Sequence, residues 1–349
     1  MIVQVCPPGA GGVRDYADCL ARAWAARGVA TTLIEGQAED LRAQLDALVA
    51  ASPAGAPTSV VLHFSGYGYA PRGLCGWLPD VLVEWRTAHA SRPRLVVVFH
   101  ELFAGGAPWR SAFWLAPWQS QVARRLARLA DGVWTNTAHH AAWLRGVVGG
   151  STPLHVHPVF SNVGELGEPP AWHARAPRAV VFGSEATRQR AFAALRALGP
   201  ALVRLGVHEI VEAGTGRPQS GSGGDLPTRH AGRLSPAELG TLLAGARFGI
   251  VDYPARYLGK SGVFAACAAH GCAVIDTRPP DGDADGLRMN EHFVNLHAAF
   301  PVDGDALARM ATRLHRWYVE HSLALQSREL LQAARADAGL PPGLVPQAG

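Results

Sequence analysis

The sequence predicts an α/β protein made of two halves, each a parallel sheet covered by helices on both faces. Three observations carry this. Short, continuously apolar strands alternate with helix-like segments, the pattern of a sheet buried on both sides. The pattern stops at a stretch rich in Pro and Gly, NVGELGEPPAWHARAPR (162–178), and then restarts. The chain has 349 residues, more than one core of ~100–200 residues accommodates.

The elements follow in order. Ile2 to Val5 is a β-branched first strand, followed by a Pro/Gly turn. Asp15 to Arg27 is helical, with Tyr16, Leu20 and Trp24 four apart. Ala30 to Ile34 is a strand, Leu41 to Ala50 a helix, Ser59 to Phe64 a strand and Leu95 to Phe99 another. Gln119 to Ala130 is a helix and Gly132 to Thr135 a strand. Beyond the linker, Ala179 to Phe182, Glu209 to Ala213, Phe248 to Asp252 and Ala273 to Asp276 are strands. Arg188 to Leu198 is a helix. SPAEL (235–239) opens a further one, with Ser235 as cap, Pro236 at the first helical position and Glu238 closing a capping box. Leu307 to Leu331 reads as one long terminal helix.

Composition narrows the function. Charged residues make up 17%, too few for extended disorder, and the net charge is +4. The arginines are spread along the chain without a basic block, which disfavours a nucleic-acid binder and suits an anionic small ligand or an acidic membrane surface. Five cysteines, none in a CxxC pair, read as reduced buried thiols of a cytoplasmic protein. No apolar run reaches the ~18 residues of a membrane span, and the N-terminus reads as a strand rather than a signal peptide.

Open parallel sheets bind ligands beyond the carboxyl ends of their strands, so the residues that follow each strand are the candidates. YLGKSGVF (257–264) holds Gly-Lys-Ser ahead of a helix. A phosphate loop of Walker type needs Gly where Pro254 stands, so that reading fails. What survives is an anion site at a helix N-terminus, opened by Ser261 and Gly262 and reinforced by Lys260. The alternative is an ordinary strand–loop–helix with a surface lysine. PPGAGGVRDY places Gly9, Gly11 and Gly12 between a strand and a helix, as a tight turn or a close backbone approach to ligand. HFSGYGYAPRG follows a strand and offers Tyr67 and Tyr69 to a sugar-like acceptor. His100-Glu101 also ends a strand.

Other patterns carry less. DGDADG (281–286) resembles a calcium loop, but His292 stands where the chelating Glu belongs, and it reads as a solvated acidic loop. His155 and His157 share a strand face without a visible third ligand, so no metal site is assigned. Trp109, Trp114, Trp118, Arg124 and Arg125 form an aromatic and basic segment; the tryptophans are read as core packing, with a membrane-surface segment as the alternative.

Taken together, PPGAGGVRDYADCLA, LHFSGYGYAPRG, VVVFHELF and VWTNT, then VVFGS, IVEAGTG, AGRLSPAEL and GCAVI, resemble a family-4-type glycosyltransferase of the GT-B fold over nearly the whole chain. The resemblance implies two Rossmann-like domains facing across a cleft. An acceptor domain spans 1–165, a nucleotide-sugar domain 175–310, and a terminal helix (311–349) returns to the first. It implies retention of anomeric configuration, no metal and no cofactor, with a nucleotide-diphospho-sugar as co-substrate. The acceptor would be a glycan, a lipid-linked sugar or a small molecule, in the cytoplasm, with room for peripheral contact at the inner membrane face and no nucleic-acid partner.

By the same resemblance His100 lies near the reacting sugar, and Gly12 lies against donor or acceptor. Gly183, Ser184 and the Arg188/Arg190 region follow the first strand of the donor domain, and Arg233-Leu234 touch the base. The family's two glutamates fall at Leu258 and Ala266, and Ser184 replaces its usual Arg. The expectation is that charge has moved, with Lys260 and Arg188 or Arg190 gripping the diphosphate while Tyr67, Tyr69 and Glu101 meet the acceptor. The lost glutamates keep two rivals open: a non-catalytic GT-B binding protein and a nucleotide-sugar epimerase.

Overall fold

The computed structural model describes residues 1–52, 58–90, 92–216, 226–282, 285–300 and 302–335. Twelve strands are formed among them: β1 (Ile2–Cys6), β2 (Thr31–Glu35), β3 (Ser59–Phe64), β4 (Arg94–Phe99), β5 (Gly132–Thr135), β6 (Leu154–Val156), β7 (Ala176–Phe182), β8 (Glu209–Ala213), β9 (Thr228–Gly232), β10 (Ala246–Val251), β11 (Ala273–Asp276) and β12 (Phe293–Asn295). The helices are α1 (Gly12–Ala25), α2 (Leu41–Ala50), α3 (Gly66–Tyr69), α4 (Trp77–Ala88), α5 (Ser111–Leu129), α6 (Ala138–Arg145), α7 (Glu185–Arg204), α8 (Pro236–Ala244), α9 (Gly262–Ala269), α10 (Gly304–Val319) and α11 (Leu323–Arg335).

The strands make two six-stranded sheets, ordered β2-β1-β3-β4-β5-β6 and β12-β11-β10-β7-β8-β9. Every pairing is parallel. The cause is visible in the strands themselves. SVVLHF and RLVVVF are buried along almost their whole length, so each needs helices on both faces. Each sheet accordingly has one apolar cluster per face, four in all.

Three of the differences from the sequence reading bear on the architecture. Helix α5 begins at Ser111, eight residues before the predicted Gln119, and carries Pro117 inside it. Pro117 removes only the bond to the Phe113 carbonyl, at a point where both residues face solvent. The predicted single terminal helix is two, because the Glu165 carboxylate from the linker accepts a hydrogen bond from Leu323 N at 2.7 Å and starts α11 afresh. The same carboxylate accepts from the Tyr318 hydroxyl at 2.5 Å. The start of β7 at Ala176 takes the last part of the predicted linker into the second sheet.

Helix α11 lies on the first sheet, far from the sheet that precedes it in sequence. The Trp24 indole donates to Ser327 O at 2.7 Å, Ser59 Oγ to Ala334 O at 2.6 Å, and Arg94 Nε to Ala333 O at 2.6 Å. Leu330 is fully buried among Leu20, Trp24 and Val61. Truncating that side chain, Leu330→Ala, should cost about 2–5 kcal/mol through lost burial and the cavity left behind. The check is the midpoint of chemical unfolding, with Val319→Ala on an exposed position as the unaffected control.

Candidate active site

The carboxyl ends of the two sheets bring the site together. Strand β4 ends at Phe99, which delivers His100 and Glu101, and β10 ends at Val251, just ahead of Asp252 and Tyr253. A 3-10 turn over Ala255–Lys260 then presents Lys260, and α9 begins at Gly262.

Two cavities open there, each of about 300 Å³. One is lined by Gly12, Tyr16, His100, Asn136, Tyr253 and Gly262, among others. The other is lined by Phe64, Tyr67, Phe103, Gln119, His140 and Tyr257, among others. Glu101 and Lys260 line both. Lys260 Nζ lies 3.1 Å from Glu101 Oε1, so this ion pair joins the two halves of the molecule where the cavities meet. Burial alone would lower the Lys260 pKa, but Glu101, Tyr253 and Tyr257 outweigh it and raise it, so the lysine is fully charged.

In the first cavity, Gly12 and Gly262 are the opening residues of α1 and α9. A Cβ on either would meet nothing within 4 Å. Helix α1 has no side-chain cap, while Ser261 Oγ caps α9 through Phe264 N at 3.3 Å. Two helix N-termini and one lysine therefore face a single space, an arrangement suited to an anion.

His100 is held by a relay that fixes its proton. The Ala17 carbonyl only accepts, so the Gln4 amide nitrogen, 3.3 Å away, is the group that faces it. Gln4 Oε1 then faces His63 Nε2 at 3.0 Å, and that nitrogen must carry the proton. His63 Nδ1 is left as acceptor for His100 Nε2–H at 3.2 Å. The unprotonated nitrogen of His100 is therefore Nδ1. Burial drives the His100 pKa down to about 4, with Lys260 adding to the effect and Glu101 opposing it. Burial, then the His100 neighbour, holds His63 well below the usual range. Tyr16 packs edge-on against the His100 ring at 4.9 Å.

The remaining expected site residues divide. Arg188 is fully buried: Nε bonds Glu212 at 2.8 Å, Nη1 bonds Gly183 O at 2.6 Å, and Nη2 bonds Thr215 O. The expected diphosphate contact from Arg188 is corrected by that burial; its guanidinium ties two loops together. Arg190, on α7, is half-exposed, with Nε 3.2 Å from Asp252 Oδ1 just beyond β10, and lines neither cavity. Gly183, at φ +111°, would place a Cβ 3.1 Å from Val263, so the β7–α7 turn lies against the start of α9. Ser184 caps α7 through Thr187 N. Arg233 is exposed, and Leu234 packs on the core below β10; neither lines these two cavities.

Tyr67 is exposed and its hydroxyl accepts from Gln119 Nε2 at 3.2 Å on the wall of the second cavity. Tyr69 is not an acceptor contact. It is buried, with its hydroxyl donating to the Val5 and His63 carbonyls, because its ring fills the space beside Gly36. Leu258 and Ala266 are core residues with no exposed surface to speak of. The acidic loop is not simply solvated: Asp281 pairs with Arg256 at 3.2 Å, and Asp285 Oδ1 accepts from Ala138 N at 2.6 Å. Its Asp283 and Ala284 lie outside the described residues. The expectation that Trp109, Trp114 and Trp118 pack in the core is wrong, since they are 85%, 68% and 70% exposed.

No protein-family model matches the chain, and no curated protein matches it in sequence. Solved structures do. An alpha-glucosyltransferase (AGT) in complex with UDP superposes with a TM-score of 0.58 at 9% identity, over 95% of this chain and 98% of that one. The OtsA apo structure matches with a TM-score of 0.54 at 13% identity, over 97% of this chain and 100% of that one. An α,α-trehalose 6-phosphate synthase from Burkholderia multivorans gives 0.53 at 12% identity, over 94% of this chain and 76% of that one.

The chain has the GT-B fold.

The GT-B cleft lies between the carboxyl ends of the two sheets, where the Lys260–Glu101 pair stands. Gln4, His63, Tyr16 and Tyr253 are site residues that sequence reasoning passed over. His63 lies near the end of β3, a strand buried at every position, and its apolar neighbours masked it. Gln4 is a polar residue in the middle of a buried strand, which was the available signal.

Selective ¹⁵N-histidine spectra should show His100 protonated at Nε2 and bare at Nδ1 from pH 7 to pH 5, assigned by loss of the signal in His100→Gln. An Nδ1-protonated ring would contradict the relay. Stability has a matching sign. The unfolded histidines take up protons near their ordinary pKa of ~6.5, while folded His63 and His100 refuse them. The unfolding midpoint should therefore hold above about pH 6.5 and fall as the pH drops toward 4.

Proposed function

We propose that the chain is a glycosyltransferase that moves a sugar from a nucleotide-diphospho-sugar to an acceptor, with retention of configuration and without a metal. The observation that carries this reading is the pair of cavities meeting at Lys260 and Glu101. One cavity has the chemistry of a diphosphate site, with two helix N-termini and a charged lysine. The other has the mixed apolar and hydroxyl lining of an acceptor site. The AGT structure named above contains UDP, which agrees with a nucleotide donor.

The residues then act as follows. Donor binding brings diphosphate oxygens to the α1 and α9 termini and to Lys260, which exchanges Glu101 for phosphate. These fixed positive groups stabilise the charge that develops on the departing diphosphate, the task a metal performs elsewhere. Arg190, on α7, adds charge from outside the cavity. His100 Nδ1 accepts a hydrogen bond from a hydroxyl of the transferred sugar and stays neutral throughout. Glu101, released from Lys260, faces the acceptor hydroxyl beside Tyr67. Leu258 and Ala266 take no part.

The exposed aromatic segment favours an amphiphilic acceptor presented at a membrane surface. Trp118 precedes Gln119 of the acceptor cavity, and Trp109, Phe113 and Trp114 stand with Arg110 at the start of the same helix. Indoles with neighbouring arginines are the chemistry of an anionic lipid interface. Among the described residues, no helix is long and apolar enough to cross a membrane.

Thermal shift with UDP, GDP, ADP, CDP and dTDP and their sugars should give a stabilising shift for one base, unchanged by EDTA. Lys260→Ala should weaken that donor by at least tenfold, about 1.4 kcal/mol. Unchanged donor affinity in Lys260→Ala removes the lysine from the mechanism. Donor binding without turnover or slow hydrolysis would favour the non-catalytic reading, and interconversion of the sugar without acceptor the epimerase. Co-sedimentation with anionic vesicles should be strong for the wild type and lost in the triple change of Trp109, Trp114 and Trp118 to Ser.

A further inference from the structure

Away from the cleft, His155, His157 and Glu329 converge on the edge of the first sheet. One ligand atom from each lies within 4.8 Å of the other two. His155 lies in β6 and His157 directly follows its last residue, two positions on, where His157 N still bonds Thr135 O at 2.9 Å and keeps the extended spacing that puts both rings on one side. Glu329 comes from α11, more than 170 positions later in the chain. The group is partly buried, with His157 and Glu329 side chains 16% and 32% exposed.

We propose that His155, His157 and Glu329 form a binding site for a divalent cation of the zinc class, which fastens the terminal helix α11 to the edge strand β6. Two imidazoles and one carboxylate are a set that zinc, cobalt and nickel take in preference to magnesium or calcium, which ask for oxygen. Three protein ligands leave one position of a tetrahedral ion to water.

The surroundings fit a built site better than a chance ion pair. His157 Nε2 and Glu329 Oε2 stand 2.9 Å apart, a contact that already holds two of the three groups together and that a small separation would open to the spacing of two ligands on one ion. A simple His–Glu pair would use that contact alone and would not need His155. The Trp134 indole lies nearly parallel to both rings, at 4.8 Å from His155 and 4.7 Å from His157, and limits their rotation. His157 Nδ1 is buried without a hydrogen-bond partner among the described residues, so that ring offers an unused nitrogen as well as the bonded one. The Glu329 carboxylate ends a flexible side chain and can close the remaining gap by rotation. Other contacts of α11, such as Gln326 Nε2 to Pro158 O at 2.7 Å, hold the helix beside the strand without the ion. The cation would therefore add to a preformed site.

The site is separate from sugar transfer, and its test does not depend on that reading. Full-length protein is stripped with chelator, dialysed, and titrated with CoCl₂ alone. One equivalent of Co²⁺ should bind and develop the visible absorption of a four-coordinate ion, and ZnCl₂ should displace it. Addition of ZnCl₂ should raise the unfolding temperature of the stripped protein. His155→Ala removes a ligand while leaving the His157–Glu329 bond in place, so its fold is a fair control. That variant and Glu329→Gln should each weaken Co²⁺ by about tenfold or more and abolish the zinc-dependent rise. Absence of stoichiometric cobalt binding to the wild type overturns the proposal. So does binding that survives both substitutions unchanged, which would place the ion elsewhere among the histidines.

Discussion

A lysine ammonium at the bottom of a cleft needs a counter-charge, and much of this site follows from which counter-charge it finds. Lys260 is carried by the second half of the molecule and Glu101 by the first. Their contact is an ion pair within one chain but also a contact between two bodies. Two cavities meet there because both walls must approach for the pair to form. The neutrality of His100 belongs to the same arrangement. A second positive charge beside Lys260 would be costly in a buried setting, and the Gln4–His63 relay supplies a partner for the Nε2–H of a neutral imidazole.

The two positions at which the resemblance expects glutamates are apolar in this chain. Leu258 and Ala266 are packed in the core beneath the loop, and α9 is buried along most of its length. A carboxylate at either place would now be a buried charge without a partner. The apolar residues instead give α9 a firm seat, which keeps its N-terminus aimed at the cleft. Arg188 is a similar case. Its guanidinium, paired with Glu212 and bound to two carbonyls, is structural cement for the loops that follow β7 and β8. A basic residue after a strand reads as a ligand group in one dimension, yet burial decides its role in three.

This explains which parts of the molecule were legible in its sequence. Strands such as β3 and β4 announce themselves because a strand buried on both faces has no freedom to be polar. The Ser235 capping box was equally clear, since its chemistry is local. The end of β4 also pointed to His100 and Glu101, and the Gly-Lys-Ser stretch ahead of α9 to Lys260. What stayed hidden depends on contacts between distant residues. Tyr69 looks like Tyr67 in sequence, but only one of them finds the hole beside Gly36. The tryptophans of α5 read as core because aromatic residues usually are, and the sequence does not record that the sheet face beneath them is already filled by Val122, Leu126 and their neighbours. Glu165 lay in an irregular stretch and gave no sign that it would end one helix and begin the next.

That glutamate has a consequence for movement. Among the described residues the chain passes between the two sheets twice, once after β6 and once between α10 and α11, and Glu165 binds the second passage to the first through Tyr318 and Leu323. Two covalent crossings pinned to each other behave as a door hinge with both leaves fixed to one pin. Sliding and twisting of the halves would strain one crossing or the other, whereas rotation about the line through them strains neither. The Lys260–Glu101 pair ties the same two halves at the cleft, so the molecule is closed on itself at the crossings and again at the site.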